Sequence, residues 1–297
     1  MFFTIIAGVM IAQILNPFVV GFEYMVSLES ALIRRPAVSE PPARVNKSSM
    51  GPVLTGRASI VIDRGSRRVL WADGQYLSFP IASISKLMTA LVFLETKPDL
   101  SEYYTLSSED MTKGGSVYVK QGDAVRVRDM LYSALIASDN NSAQGLIGAS
   151  GLSKEEFINR MNVRASEIGM LHSSFQEVTG LSFTNVSSVQ DVALLLDEAL
   201  RNPVINDAVS RKSYEFTSQS GNNYKLYNTN KLLGSYLDVI GGKTGFNNEA
   251  RYNLAVAIRG EDEQELLVVV LGSKSIDSRF RDAKILADWA FRNYSWN

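Results

Sequence analysis

The sequence contains no cysteine and only one histidine, His172. The absence of cysteine excludes disulfide bonds, thiol nucleophiles and zinc sites built from thiolates. A single histidine cannot supply the clustered ligands of histidine-rich metal sites or of the His-Glu-x-x-His motif. We therefore expect a protein without a resident metal ion.

The chain also lacks an excess of either charge, since 30 Lys and Arg residues face 31 Asp and Glu residues. This balance gives no electrostatic support to nucleic-acid binding, and we expect no nucleic-acid partner. The 297 residues are 45% hydrophobic and 21% charged. That composition is typical of a globular protein with one large domain or two small ones.

A long apolar run occupies residues 1–22. As a helix it would be about 33 Å long, enough to cross a bilayer. The nearest basic residues, Arg34 and Arg35, follow the run, although the positive-inside rule would then keep the next domain in the cytoplasm. We interpret residues 1–22 as a signal peptide or, because no small-residue cleavage site is evident, as an uncleaved membrane anchor.

Residues 23–55 contain Pro, Ser, Ala and scattered charge, a composition typical of a linker. We expect one catalytic domain over residues 56–297. A β-hairpin is predicted for residues 57–72 and long apolar strands for residues 252–258 and 265–271, while helical patterns dominate between them. The predicted class is α+β, with an antiparallel sheet built from N- and C-terminal strands, covered by helices and carrying a mainly helical insertion.

The stretch around Ser83 places a lysine, Lys86, three residues after a serine. On a helix the two side chains would share one face, with their Cβ atoms about 5–6 Å apart. Apolar neighbours on both sides indicate burial, which lowers the pKa of a lysine and allows its amine to activate the serine. The alternative is a capped helix with a solvated lysine.

Two further motifs follow. A predicted helix over residues 127–136 leads into Ser138-Asp139-Asn140, and an apolar stretch leads into Lys243-Thr244-Gly245. The second motif is not a phosphate loop, because Leu237 stands where that loop requires glycine. As an edge strand, it would present a cation and backbone donors to an extended ligand. On its own it could also be a tight turn with a solvated lysine.

The order of the three motifs resembles that of the penicillin-recognising serine acyltransferases. The resemblance continues in Gly114-Gly115-Ser116, Thr179-Gly180-Leu181 and Asn228-Thr229-Asn230. From about Gly56 onward the chain resembles the D-alanyl-D-alanine carboxypeptidases, which are low-molecular-mass penicillin-binding proteins. The resemblance implies a β-lactamase/transpeptidase-like fold and a serine carboxypeptidase that acts on peptidoglycan stem peptides without a cofactor. It also implies covalent inhibition by β-lactam antibiotics and a location on the extracytoplasmic face of the bacterial membrane.

The same resemblance implies the catalytic roles. Ser83 would attack the carbonyl between two D-alanines, and Lys86 would take its proton. Ser138 would relay a proton to the leaving D-alanine. Asn140 would hold both the substrate amide and Lys86.

The third motif would bind the substrate. Lys243 would favour an anionic substrate and help to keep Lys86 neutral, while Thr244 would bind the terminal carboxylate. Gly245 belongs to the same strand, and the N–H of Phe246 would form the oxyanion hole together with the N–H of Ser83. One such donor is typically worth about 10²–10³ in rate.

Two residues depart from the family pattern. Asn185 stands where a histidine is common, and Arg251 stands where a glycine is common. Neither change removes a catalytic group. The sequence ends soon after its last predicted helix, residues 278–291, so the N-terminal segment is the expected membrane attachment.

Parts of the sequence are also compatible with other functions. A histidine-dependent serine hydrolase could use His172, but the chain has no Gly-x-Ser-x-Gly elbow, and we interpret His172 as structural. A β-lactamase needs a deacylation base, and Glu155 begins a run similar to Glu-x-x-Leu-Asn. Because Glu155 follows a helix cap at Ser153, we regard the run as a chance match. A D,D-endopeptidase remains open, since the same groups serve both reactions, and a non-catalytic cell-wall binding protein is less favoured.

Overall fold

The structure is a computed structural model that describes residues 39–296. The predicted signal peptide or anchor, residues 1–22, lies outside the described residues, as does much of the predicted linker. Within residues 39–296, no helix combines the length and the apolar character needed to cross a membrane.

The described residues form strands at both ends of the domain and helices mainly between them. The strands are β1 (Ala43–Arg44), β2 (Ala58–Asp63), β3 (Val69–Asp73), β4 (Phe79–Pro80), β5 (Tyr103–Thr105), β6 (Ala124–Arg126), β7 (Val186–Ser187), β8 (Ser213–Thr217), β9 (Asn223–Tyr227), β10 (Asp238–Asn247), β11 (Arg251–Arg259), β12 (Glu265–Ser273) and β13 (Tyr294–Ser295). The helices are α1 (Lys86–Glu95), α2 (Val127–Ile136), α3 (Asn140–Ser150), α4 (Lys154–Glu167), α5 (Val189–Arg201), α6 (Pro203–Ser210) and α7 (Ile276–Asn293).

A five-stranded sheet lies at the centre, in the order β10, β11, β12, β2, β3. Every neighbouring pair is antiparallel. The N-terminal hairpin β2–β3 therefore joins the three C-terminal strands in one sheet. This confirms the predicted α+β class, and it also places β10, which carries Lys243-Thr244-Gly245, at the sheet edge as predicted.

The central strands are apolar without alternation because both faces of the sheet are covered. Successive side chains of a strand point to opposite faces. Leu254, Val256 and Ile258 belong to a core cluster that includes apolar residues of α7. Ala255 and Ala257 belong to the larger cluster formed with the helices between the two ends of the sheet.

One element differs from the prediction. Ser83 lies in a 3₁₀ turn, Ala82–Ser85, that directly precedes α1, rather than on an α-helix together with Lys86.

The helix α6 begins immediately after Asn202. The Asn202 side chain accepts hydrogen bonds from the next turn, and Pro203 occupies the first helical position, where its missing N–H is not needed.

Part of the predicted linker contacts the domain. Ala43 in β1 pairs with Ser295 in β13. Thr55 donates hydrogen bonds to the Asp282 carboxylate through both its N–H and its hydroxyl, at 3.2 and 2.6 Å. The described end of this segment is thus held at α7 and β13, while the boundary at residue 56 stays a prediction.

Candidate active site

The three sequence motifs meet at one cleft of about 190 Å³ beside the edge strand β10. The cleft is lined by Ser83, Gly115, Ser116, Ser138, Asn140, Leu181, Thr229, Thr244, Phe246 and Arg279. Two other predicted residues, Lys86 and Lys243, are each only 1% exposed. All eight predicted site residues therefore lie in or directly behind one cleft, and the geometry around each lysine decides what that cleft can do.

Lys86 lies within hydrogen-bond distance of the hydroxyl of Ser83. Its Nζ is 3.1 Å from Ser83 Oγ, 2.7 Å from Asn140 Oδ1 and 2.6 Å from the Thr179 carbonyl oxygen. The serine and the lysine are brought together because the 3₁₀ turn runs directly into α1. This is the arrangement of a nucleophile with an adjacent base.

Burial lowers the pKa of Lys86 to about 7, while the Glu177 and Asp139 carboxylates act in the opposite direction and raise it. Removal from water disfavours the ammonium form, and that effect prevails here. Burial therefore favours the uncharged amine, whose lone pair can accept a proton.

Ser138 lies in the turn between α2 and α3, with φ of 62°. This left-handed conformation is uncommon for a residue other than glycine, and such strain often accompanies functional sites. The neighbouring Asp139 is fully buried and holds the turn. Its carboxylate accepts hydrogen bonds from the N–H groups of Tyr118 and Val119 and from the hydroxyls of Ser133 and Ser142.

Lys243 approaches Ser138 from β10. Its Nζ donates hydrogen bonds to Ser138 Oγ at 2.9 Å and to the Thr244 carbonyl at 3.2 Å. Burial lowers the pKa of Lys243 well below its ordinary value, and the nearby positive groups Lys86 and Arg279 add to this effect. The Ser138 hydroxyl is thus connected to a second amine that can exchange protons.

Two glycines allow neighbouring segments of the chain to approach the backbone around Ser83 closely. A Cβ atom on Gly180, which has φ of 78°, would lie 2.0 Å from the Ala82 carbonyl oxygen. A Cβ atom on Gly245 would lie 3.3 Å from the backbone nitrogen of Ser83. The Ser83 N–H therefore lies beside the strand segment that carries the Phe246 N–H, the other predicted oxyanion donor.

Arg279 is a residue of the cleft that sequence reasoning missed. It belongs to α7, is 7% exposed, and donates a hydrogen bond from Nη1 to the Gly245 carbonyl at 3.3 Å. Among the described residues, its Nε has no hydrogen-bond partner. Burial lowers the pKa of Arg279 to about 10, so the guanidinium remains cationic at neutral pH.

The remaining lining residues also carried no assigned role. Thr229 accepts a hydrogen bond from Thr244 Oγ1 at 2.7 Å, and Ser116 and Leu181 come from separate loops. Their sequence stretches contribute to the family resemblance, but nothing in the local pattern predicts a side chain in the cleft. Their placement depends on tertiary contacts.

The residues of the competing interpretations lie outside the cleft lining. His172 lies beside Asp191, with Nδ1 3.8 Å from Oδ1, and its ring is 5.2 Å from that of Tyr76. Glu155 is exposed in the first turn of α4, and Ser153 caps that helix. Among the described residues that line the cleft, none carries a carboxylate.

The two departures from the family pattern are also outside the lining. Asn185 is fully buried and hydrogen-bonds Ser85 and Glu177. Arg251 is exposed, with φ of 56°, at the start of β11. In residues 39–296, no group of three or more acidic or histidine side chains could hold a metal ion.

Comparison with known proteins gives a consistent set of relatives. The family profile of D-alanyl-D-alanine carboxypeptidases matches residues 45–275. The chain is 31% identical over 272 residues to the D-alanyl-D-alanine endopeptidase of Pseudomonas aeruginosa, covering 89% of this chain and 86% of that protein. It is 28% identical over 244 residues to the D-alanyl-D-alanine carboxypeptidase DacF of Bacillus subtilis, covering 80% of this chain but only 62% of that protein.

A solved structure shares the fold. The crystal structure of the Streptomyces K15 DD-transpeptidase superposes with a TM-score of 0.76 at 25% identity. The match covers 82% of this chain and all of that one. The sheet and its helices therefore have the fold of that DD-transpeptidase.

The Lys86 amine is expected to titrate near pH 7. Burial destabilises its ammonium form, so the pKa should lie several units below the ordinary value of about 10.4. Heteronuclear NMR of protein labelled on the lysine side chains measures this pKa, and Lys86→Arg identifies the resonance. A midpoint within about one unit of the ordinary value would contradict the assignment of Lys86 as a base.

Proposed function

The chain belongs to the D-alanyl-D-alanine carboxypeptidase family, and we propose that it removes the terminal D-alanine from peptidoglycan stem peptides as a serine peptidase. The reaction would proceed through an acyl-enzyme on Ser83. The observation that carries this proposal is the buried Lys86 amine, whose Nζ lies 3.1 Å from Ser83 Oγ.

In the acylation step, neutral Lys86 accepts the proton of Ser83 as Oγ attacks the carbonyl carbon of the penultimate D-alanine. The carbonyl oxygen becomes an oxyanion, which the backbone N–H groups of Ser83 and Phe246 stabilise. Proton transfer by a positioned base contributes typically 10²–10⁴-fold. Asn140 keeps Lys86 in place through its side-chain oxygen at 2.7 Å and holds the substrate amide.

Collapse of the oxyanion breaks the bond to the terminal D-alanine. Its nitrogen needs a proton to leave as an amine, and the Ser138 hydroxyl donates it. Ser138 regains a proton from Lys243, whose Nζ lies 2.9 Å from its Oγ. The proton that Lys86 took from Ser83 then replaces the one given by Lys243, so that Lys86 is neutral again and the Ser83 proton is in effect carried to the leaving D-alanine. The strained turn at Ser138 is compatible with a hydroxyl held in one orientation.

The cationic side of the cleft would bind the terminal carboxylate of the substrate. Thr244 offers its hydroxyl, and Arg279 offers a guanidinium that is buried and largely free of anionic partners among the described residues. A cation of this kind binds a carboxylate with charge-assisted hydrogen bonds. In its protonated form, Lys243 adds to the preference for an anionic substrate.

Water then hydrolyses the acyl-enzyme. The described lining residues include no carboxylate that could activate this water as a deacylation base. A β-lactam, whose leaving group stays attached after ring opening, would therefore remain bound to Ser83 for long periods. This supports β-lactam antibiotics as covalent inhibitors rather than as substrates.

The substrate decides the cellular location. Peptidoglycan lies outside the cytoplasmic membrane, so the protein would act on the extracytoplasmic face. Residues 1–22 would direct the chain there, either as a cleaved signal peptide or as an anchor that attaches it to the membrane.

A D,D-endopeptidase that cleaves peptidoglycan cross-links is the second candidate. The Pseudomonas aeruginosa relative, of which the chain covers 86%, is an endopeptidase by name. The DacF carboxypeptidase extends well beyond the matched region, since the chain covers only 62% of it. The same Ser83, Lys86 and Ser138 would serve either bond.

The activity is tested by comparing two substrates. We expect the purified chain to release D-alanine from a stem pentapeptide, and Ser83→Ala should lower that rate by about 10³-fold or more because the nucleophile is gone. Ser101→Ala, an exposed change outside the cleft, is the matched control. Faster cleavage of cross-linked muropeptides would favour the endopeptidase, and full activity of Ser83→Ala would contradict both proposals.

Arg279 is expected to act through the terminal carboxylate. Arg279→Gln should lower kcat/KM for the pentapeptide by about 10–100-fold, since a hydrogen bond to a charged group is worth about 1.5–3 kcal/mol. The effect should nearly vanish for a pentapeptide whose terminal carboxyl is amidated. Arg281→Gln, an exposed change in the same helix, should leave both rates unchanged. An equal loss on both substrates would contradict this role.

A further inference from the structure

A closed hydrogen-bond network lies behind the nucleophile, on the segment that precedes Gly180. The Glu177 carboxylate accepts hydrogen bonds from the N–H groups of Thr179 and Gly180, both at 2.6 Å. It also accepts one from the Thr179 hydroxyl. A carboxylate with three donors from the next residues of its own chain fixes the path of that segment.

Asn185 connects this segment to the nucleophile turn. Its Nδ2 donates to Glu177 Oε1 and to Ser85 Oγ, each at 3.0 Å. Ser85 Oγ in turn donates to the Ala82 carbonyl at 2.9 Å. Asn185 is fully buried, so these contacts are shielded from water. The Glu177 segment and the turn that carries Ser83 are thereby held at a fixed separation.

The segment ends in an acceptor for Lys86. The Thr179 carbonyl lies 2.6 Å from Lys86 Nζ, closer than Ser83 Oγ at 3.1 Å. The adjacent Gly180 packs so tightly on Ala82 that the carbonyl has little room to move. The location of the Lys86 amine therefore depends on a peptide group that Glu177 orients.

We propose that Glu177 is a positioning residue for acylation, which holds the Thr179 carbonyl so that the Lys86 amine stays on Ser83. This inference rests on the proposed function, because it takes Lys86 as the base. It assigns a role to a carboxylate that is not among the residues lining the cleft.

The negative charge of Glu177 has a second consequence, which can be measured separately from its effect on position. The carboxylates of Glu177 and Asp139 both raise the pKa of Lys86. The neighbouring basic group is Lys243, whose own pKa is lowered by burial and by the nearby Lys86 and Arg279. The Glu177 carboxylate raises the pKa of Lys86 against the larger lowering by burial. Loss of that negative charge would lower the pKa, so that Lys86 becomes neutral at a lower pH.

Glu177→Gln tests both consequences in the full chain. The measurement is the rate constant for acylation by benzylpenicillin between about pH 5 and about pH 9, since its acidic limb reports the base. We expect the plateau to fall by about tenfold or more, because an amide nitrogen cannot accept the hydrogen bonds of Thr179 or Gly180 and small misplacements are costly in rate. The acidic limb should move to lower pH.

Two further variants separate position from charge. Glu177→Asp keeps the charge on a shorter side chain, so its plateau should fall while its acidic limb remains near that of the wild type. Glu215→Gln removes an exposed carboxylate that pairs with Lys225 at 2.6 Å. This control should leave both the plateau and the acidic limb unchanged.

The possible results distinguish the positioning role of Glu177 from the proposed function of the whole chain. A Glu177→Gln profile identical to that of the wild type would overturn the positioning role. A lower plateau that matches only a smaller folded fraction, with the limb unmoved, would also overturn it, since Glu177 would then be purely structural. A wild-type chain that forms no penicillin adduct would instead contradict the proposed function, and with it the assignment of Lys86 as the base.

Discussion

The burial of two lysine amines in one site is the constraint on which the rest of this structure depends. Lys86 and Lys243 are each 1% exposed, and an isolated ammonium in such surroundings is strongly disfavoured. Burial lowers the pKa of both lysines. Oxygen acceptors lie within hydrogen-bond distance of both amines. Those acceptors come from elements far apart in sequence, so a reactive amine exists only when the whole domain is folded.

The fold supplies these acceptors through backbone arrangements that are unfavourable in isolation. Ala82, beside the nucleophile, and Ser138 both have positive φ, at 48° and 62°. Gly180 and Gly245 enclose the nucleophile turn at distances that no other residue permits. Strained residues persist only where their surroundings overdetermine them, and here the hydrogen-bond networks of the Asp139 and Glu177 carboxylates provide that restraint.

The sequence predicted those parts of the molecule that local patterns encode. The sheet built from both ends follows from apolar strands at either end of the domain, and the three motifs name residues whose spacing has a chemical meaning. Arg279 could not be found in this way, because a lone arginine in an amphipathic helix resembles any solvated charge. Glu177 and Asn185 were equally hidden, since their function depends on hydrogen bonds to Thr179 and Ser85 that only tertiary structure creates.

The central claim is that Ser83 is the nucleophile that becomes acylated. Peptide mapping by mass spectrometry of the chain treated with benzylpenicillin tests it most directly. The account predicts a single covalent adduct, carried by the peptide that contains Ser83 and absent from Ser83→Ala. An adduct on another residue, or no adduct on a correctly folded chain, would contradict the account.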